Sequence, residues 1–139
     1  MKRKASAVWQ GGLKDGKGTI SAESGVLNNT PYSFSKRFEE EKGTNPEELI
    51  AAAHASCFAM ATSAQLGTAG ITAQSISATA TVSLEKIGDG FSVTTSHLEV
   101  SIKAPGADRA KVQTAADNAK GGCPISKLFE PWRGQRLGL

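Results

Sequence analysis

Asn45-Pro-Glu-Glu-Leu-Ile-Ala-Ala-Ala-His-Ala-Ser-Cys57-Phe-Ala-Met60 is the stretch on which the fold turns. Asn45 followed by Pro46 fits an N-cap with proline at the first helical position. Thr44 and Glu47 fit a capping box. The helix they open is predicted to run to about Leu66 and to end near Gly67, roughly 30 Å at about 1.5 Å per residue. Ile50, Ala53, Cys57, Met60 and Ala64 recur at three-and-four spacing and make one apolar stripe. Leu49, Ala52, Phe58 and Ala59 extend apolar surface around the axis. The helix is therefore expected to be largely buried, and its alanines let another backbone come close. His54, Ser56, Thr62, Ser63 and Gln65 interrupt the run from Leu49 to Leu66, which favours a buried helix over a membrane span.

Upstream, Ala5-Ser-Ala-Val-Trp-Gln10 and Gly18-Thr-Ile-Ser21 read as strands, separated by the turn signals Gly11-Gly12 and Lys14-Asp-Gly-Lys17. Asn28-Asn-Thr-Pro31 marks another turn. Tyr32-Ser-Phe-Ser-Lys-Arg-Phe38 alternates, with Tyr32, Phe34, Lys36 and Phe38 on one face, and is expected to complete an antiparallel meander. Glu39-Glu-Glu-Lys-Gly43 is a charged linker. Downstream, Gln74 to Lys86 alternates Ile76, Ala78, Ala80, Val82 and Leu84 against polar residues, a long strand with one buried face. Gly88-Asp-Gly90 is a hairpin turn leading to its partner, Phe91 to Lys103. Asp108 caps a second helix that ends at Gly121-Gly122, and Pro124 opens a short third helix to about Phe129. The tail, Glu130 to Leu139, carries proline and two glycines and is expected to be irregular.

A chain of 139 residues fits a single domain, residues 1–139. At this length roughly 70% of the unfolded surface can be buried, enough to fold without a disulfide or metal. The net charge of +3 is mild and aromatic content is only 6%, so no aromatic-interleaved basic stripe points to nucleic acid. Met1-Lys-Arg-Lys4 is followed by no apolar core, so no secretory signal is read. The expected compartment is the cytoplasm, where a cysteine pair is more often redox-active than structural.

The chain has two cysteines, Cys57 and Cys123, 66 positions apart, with no CxxC spacing. Cys57 on an apolar stripe reads by default as a small core residue. Cys123 precedes Pro124 at a helix start, where unpaired N–H groups and the helix dipole favour its thiolate. His54 lies one helical turn before Cys57. It reads as a base, a ligand or a polar group near the helix surface. A zinc site would need both cysteines together with His54 and His97, and a Cys-His pair would suit acyl transfer. Arg37 reads as a solvated strand residue and Glu47 as the capping-box acid, yet the two flank the linker that leads into the Cys57 helix.

Three segments bring a resemblance. They are Phe34-Ser-Lys-Arg37-Phe-Glu-Glu-Glu-Lys-Gly43-Thr-Asn-Pro-Glu47-Glu-Leu-Ile-Ala-Ala-Ala-His-Ala-Ser-Cys57-Phe, then Gly18-Thr-Ile-Ser-Ala-Glu-Ser-Gly-Val-Leu27, then Gly121-Gly-Cys123-Pro-Ile-Ser126. Over residues 5 to 129 the chain resembles the OsmC/Ohr family, and its OsmC branch in particular. The resemblance implies a peroxiredoxin-like thiol peroxidase that reduces organic hydroperoxides in oxidative or osmotic stress, with no cofactor and no metal. It implies an α+β fold, antiparallel sheets packed around long central helices, as an intertwined homodimer with two active sites at the subunit interface. Carried over, Cys57 is the peroxidatic cysteine, Cys123 the resolving one, and Arg37 and Glu47 the activating pair.

The chemistry agrees with that allocation. A neighbouring guanidinium lowers a pKa by about 1–3 units, and a bidentate carboxylate fixes the guanidinium. The thiolate becomes a sulfenic acid on attacking the O–O bond. The second cysteine closes a disulfide, which an external dithiol, lipoyl-type dithiols among the candidates, must reduce. On local grounds Cys123 is the more acidic thiol. The resemblance makes Cys57 the attacker, with Arg37 and burial of the site outweighing a single helix end. Relatives of this kind end in a strand after the short helix, which residues 130–139 do not resemble. A rival reading is a non-catalytic small-molecule or lipid-binding protein with Cys57 as plain core.

Overall fold

A computed structural model of the chain describes residues 1–130, so the tail, apart from Glu130, lies outside the described residues. The chain divides into two compact units, Met1–Leu49 and a second that starts at Ile50.

In the first unit, β1 (Ala5–Gln10), β2 (Lys17–Ala22) and β3 (Thr30–Tyr32) form an antiparallel sheet in the order β1-β2-β3, the expected meander. Gly18 pairs with Trp9 on one side and Tyr32 on the other. The two rings lie 5.4 Å apart across it. A Cβ on Gly18 would come within 2.4 Å of the Tyr32 ring and 2.7 Å of the Trp9 ring, so only glycine lets them meet there.

The expected strand over Tyr32–Phe38 is not formed. Strand pairing stops at Tyr32, and α1 (Phe34–Phe38) is a short helix. Ser33 has extended backbone, and its Oγ accepts from the Lys36 N–H at 3.3 Å, an N-cap. Phe34 and Phe38 are four residues apart, and their rings sit 4.8 Å apart on one helix face. That spacing satisfies strand parity and helix period alike, and the serine cap decides for the helix.

α2 (Pro46–Thr68) starts where the Asn-Pro signal places it. Asn45 Oδ1 accepts from the Glu48 N–H at 2.9 Å. The expected capping box is absent: Thr44 Oγ1 is buried without a hydrogen-bond partner, and Glu47 pairs with Arg37 instead.

The second unit holds α2 from Ile50 onward, β4 (Ser75–Ile87), β5 (Gly90–Lys103), α3 (Arg109–Gly122) and a 3₁₀ helix, Ser126–Phe129. β4 and β5 form a long antiparallel hairpin, Ile76 opposite Ile102 and Ala80 opposite Leu98, with a register shift at Ser83/Leu84. Gly88 takes φ +60° in its turn, the left-handed region a two-residue hairpin requires. Leu98, Val100 and Ile102 alternate with exposed residues as half-buried positions of β5. Phe58, Ala119 and Cys123 form the core, with Cys57, Ala61, Leu98, Val100 and Ile125 packed on them. The molecule is an α+β protein built on antiparallel sheets.

The stripe that α2 buries differs from the expected one. His54, Phe58, Thr62 and Leu66, each four residues on from the last, are buried. Ala53, Met60 and Ala64 are exposed. Alanine is common all around this helix, so apolarity alone does not choose a face. Thr62 tolerates burial because its Oγ donates to the Phe58 carbonyl at 2.9 Å. By length and composition α2 could cross a membrane, but its buried stripe includes a histidine and a threonine bonded inside the protein.

Candidate active site

The two cysteines meet. Cys57 stands on the fourth turn of α2, half-buried, and Cys123 caps the C-terminus of α3, fully buried. Their sulfurs are 2.8 Å apart, and both are free thiols. The Cys123 backbone is tied on both sides. Its N–H donates to the Ala119 carbonyl at 2.8 Å, and its own carbonyl accepts from the Lys127 N–H at 3.2 Å. Pro124 and Ile125 then turn the chain so that the Ser126 N–H points at the Cys123 sulfur, 3.4 Å away.

The environment separates the two thiols. Burial pushes Cys57 up, its hydrogen bond with Cys123 pushes the same way, and the Ile125 N–H offsets them only in part. Burial also acts upward on Cys123, but hydrogen bonds outweigh it. They come from Cys57, from the Ser126 hydroxyl and N–H, and from the Ile125 N–H, and they hold this thiol below its ordinary value. Of the two thiols, Cys123 is therefore the one whose surroundings favour the thiolate, and Cys57 the one whose surroundings oppose it. The acidity expected from a helix start is present, although its source is direct donors rather than the dipole of a four-residue 3₁₀ helix.

His54 is buried and not near the helix surface, which corrects the expectation from sequence. Its Nδ1 lies 2.6 Å from the Ser96 Oγ and its Nε2 lies 2.8 Å from the Ser126 Oγ. The Phe129 ring covers it at 5.0 Å between centroids. Burial lowers its pKa, so the imidazole is held neutral. With both nitrogens bonded to serines, His54 does not form a Cys-His pair with Cys57. Nor is a four-ligand zinc site assembled, since His97 is exposed on β5, 3.8 Å from Glu99. Among the described residues no cluster of three or more His, Cys, Asp or Glu is placed to hold a metal.

Sequence reasoning gave Ser96 and Ser126 no role. Ser96 had a signal: it is a polar residue in the half-buried row that continues through Leu98, Val100 and Ile102. Ser126 had none beyond ending the Gly-Gly-Cys-Pro-Ile-Ser run.

In the first unit, Arg37 and Glu47 also meet. Arg37 Nη2 donates to Glu47 Oε1 at 2.8 Å, and its Nε lies 3.2 Å from both carboxylate oxygens. Asn45 Nδ2 donates to the Lys36 carbonyl at 3.1 Å, tying α1 to the first turn of α2. Arg37 is therefore a helix residue paired to a nearly buried carboxylate, with 38% of its side chain exposed and its guanidinium 5.2 Å from the Phe38 ring centre. Glu47 fixes a guanidinium instead of capping a helix.

Comparison with known proteins agrees with the fold. The profile of the OsmC-like protein family matches residues 39–132. The peroxiredoxin OsmC of Escherichia coli is 52% identical over 128 residues, 92% of this chain and 90% of that protein. An organic hydroperoxide resistance protein of Xanthomonas axonopodis is 37% identical over 89 residues, 60% of this chain and 58% of that one. The crystal structure of an organic hydroperoxide resistance protein from Elizabethkingia anophelis superposes with a TM-score of 0.72 at 26% identity, covering 94% of this chain and 90% of the other. The chain belongs to the OsmC-like protein family.

Proposed function

We propose that this chain is a cysteine-based thiol peroxidase that reduces organic hydroperoxides to alcohols. The observation that carries the reading is the pair of free thiols with sulfurs 2.8 Å apart. Relatives named peroxiredoxin and organic hydroperoxide resistance protein support it. Cys57 as thiolate attacks the peroxide O–O bond. Its sulfur takes one oxygen as sulfenic acid, and the other oxygen leaves with a proton as the alcohol. Cys123 then attacks the Cys57 sulfur, the S–O bond breaks, water departs and a disulfide remains. An external dithiol, lipoyl-type dithiols among the candidates, restores both thiols and is itself oxidised.

Arg37 is assigned the activation of Cys57, with Glu47 orienting it. The assignment answers a need, since burial and Cys123 both hold the Cys57 proton in place. A guanidinium beside the sulfur reverses that preference and stabilises charge on the departing oxygen. We take the working form to be a homodimer in the cytoplasm. The exposed apolar face of α2, with Met60 at 78% exposure, is what a second copy would cover.

The test is dithiol-dependent consumption of an organic peroxide and of hydrogen peroxide by the purified protein. Faster turnover of the organic peroxide is expected, and no turnover of either would overturn the reading. One observation favours a second reading, a binding protein. The second unit carries an open groove of about 1440 Å³ lined in part by Ile50, Phe58, Val100, Ile125 and Phe129. Tight binding of an apolar ligand without peroxide turnover would select it.

A further inference from the structure

His54 is the buried titratable group that the peroxidase cycle leaves unused, and its contacts lead to the thiols. Ser126 is shared. Its N–H donates to the Cys123 sulfur at 3.4 Å, and its Oγ lies 2.8 Å from His54 Nε2. The other imidazole nitrogen, Nδ1, lies 2.6 Å from the Ser96 Oγ, so the ring is held at both ends. Ser96, His54 and Ser126 thus form one connected set that reaches the Cys123 sulfur through the Ser126 N–H. The Phe129 ring covers the imidazole and keeps it in line.

We propose that His54 is a positioning residue for Cys123, acting through Ser126 to keep a hydrogen-bond donor on that sulfur. The proposal rests on the peroxidase reading for its catalytic meaning, and the geometry serves two steps. In closure, the Cys123 thiolate attacks the Cys57 sulfenic sulfur. The S–S bond forms, the S–O bond breaks, and the departing hydroxide takes up a proton equivalent to the one Cys123 gave to solvent. In recycling, one thiolate of the external dithiol attacks Cys57, the S–S bond breaks, and Cys123 leaves as the stabilised thiolate. The second thiol of the reductant then displaces Cys57, and the reductant departs as its disulfide. The incoming dithiol thus forms its mixed disulfide on Cys57.

His54 shares its groove with other titratable and charged groups. They are His97 on β5, Arg109, Asp117 and Lys120 on α3, and Glu130 after the 3₁₀ helix. Their titration is separated from the Cys123 readout by following thiolate absorbance directly.

The experiment titrates Cys123 in Cys57→Ser protein, alone and combined with Ser126→Ala, His54→Ala or His54→Gln. Ser126→Ala and His54→Ala should raise the Cys123 pKa by about one unit, a ten-fold smaller thiolate fraction at neutral pH. His54→Gln retains an amide donor toward Ser126 and should restore part of the shift. In protein with both cysteines, the same substitutions should slow disulfide closure more than peroxide attack and move the closure pH profile upward. A Cys123 titration that superimposes on the parent's in Ser126→Ala overturns the proposal, as does closure with an unmoved profile. Ser126→Ala removes one surface-proximal hydroxyl and keeps the test valid if the His54 variants fold poorly. The thiol titration needs no peroxide, so an inactive parent protein would sink the peroxidase reading and leave this result standing.

Discussion

Arg37 with Glu47 and Cys57 with Cys123 are both close pairs, built on opposite principles. The first couples two permanent charges, partly open to water, held by three contacts of 2.8 to 3.2 Å. The second couples neutral groups away from water, where a proton can change owner and the charge appears only when the chemistry calls for it. A guanidinium cannot lose its proton at working pH, so it suits constant electrostatic support. A thiol tied to a serine and a histidine suits a charge that must come and go. The contrast teaches that one chain can hold its fixed field and its movable protons in separate side-chain sets.

The largest expected effect breaks the movable set. Cys57→Ser should abolish dithiol-dependent peroxide reduction, whereas Cys123→Ser should allow one turnover and stall with a sulfenic acid, both read by stopped-flow peroxide consumption. Steady-state activity retained in Cys57→Ser would remove that pair from the chemistry. Next, Arg37→Ala should raise the Cys57 pKa and slow peroxide attack by about ten-fold or more, measured with Cys123 replaced by Ser. Glu47→Gln keeps the guanidinium charge and loses its orientation, so its effect should have the same sign and be smaller. Superimposable titrations and equal rates would reduce the fixed pair to surface electrostatics.

Smaller effects sharpen the contrast. Asn45→Ala removes the α2 cap and the tie to the Lys36 carbonyl and should cost about 1 kcal/mol in chemical denaturation. Smallest is the pH dependence set by His54. Its folded pKa is depressed by burial below the ordinary 6.5. As pH falls past that value the unfolded chain takes up a proton that the folded chain resists, so stability is lost on acidification and regained above it. His54→Gln should flatten that limb of a stability-versus-pH curve, and an unchanged slope would show that His54 does not set it.

Much of this was legible in the residues. The hairpin of β4 and β5 follows from strict alternation and a Gly-Asp turn, and the capped helices follow from Asn45-Pro46 and Asp108. The cysteines, Arg37 and Glu47 stood out from the residues themselves, but their roles came through resemblance, since a separation of 66 positions predicts no contact by itself. What stayed hidden has physical causes. Phe34 and Phe38 satisfy two periods at once, so a serine cap had to decide. An alanine-rich helix presents no unique apolar face, so partner contacts chose His54, Phe58, Thr62 and Leu66. His54 itself looked superficial because burial of a polar ring depends on two serines, 42 and 72 positions away, that pattern reading does not connect.

The anchoring of Cys123 at both its N–H and its carbonyl has a kinetic consequence. Two sulfurs 2.8 Å apart must approach by less than about 1 Å to bond. With the main chain pinned, that approach belongs to side-chain rotation, on the picosecond to nanosecond scale typical of rotamers, about a thousand-fold or more faster than collective motions. In the cycle proposed above, oxidation and reduction then call for no loop to melt and refold, and side-chain rotation is enough to close the disulfide.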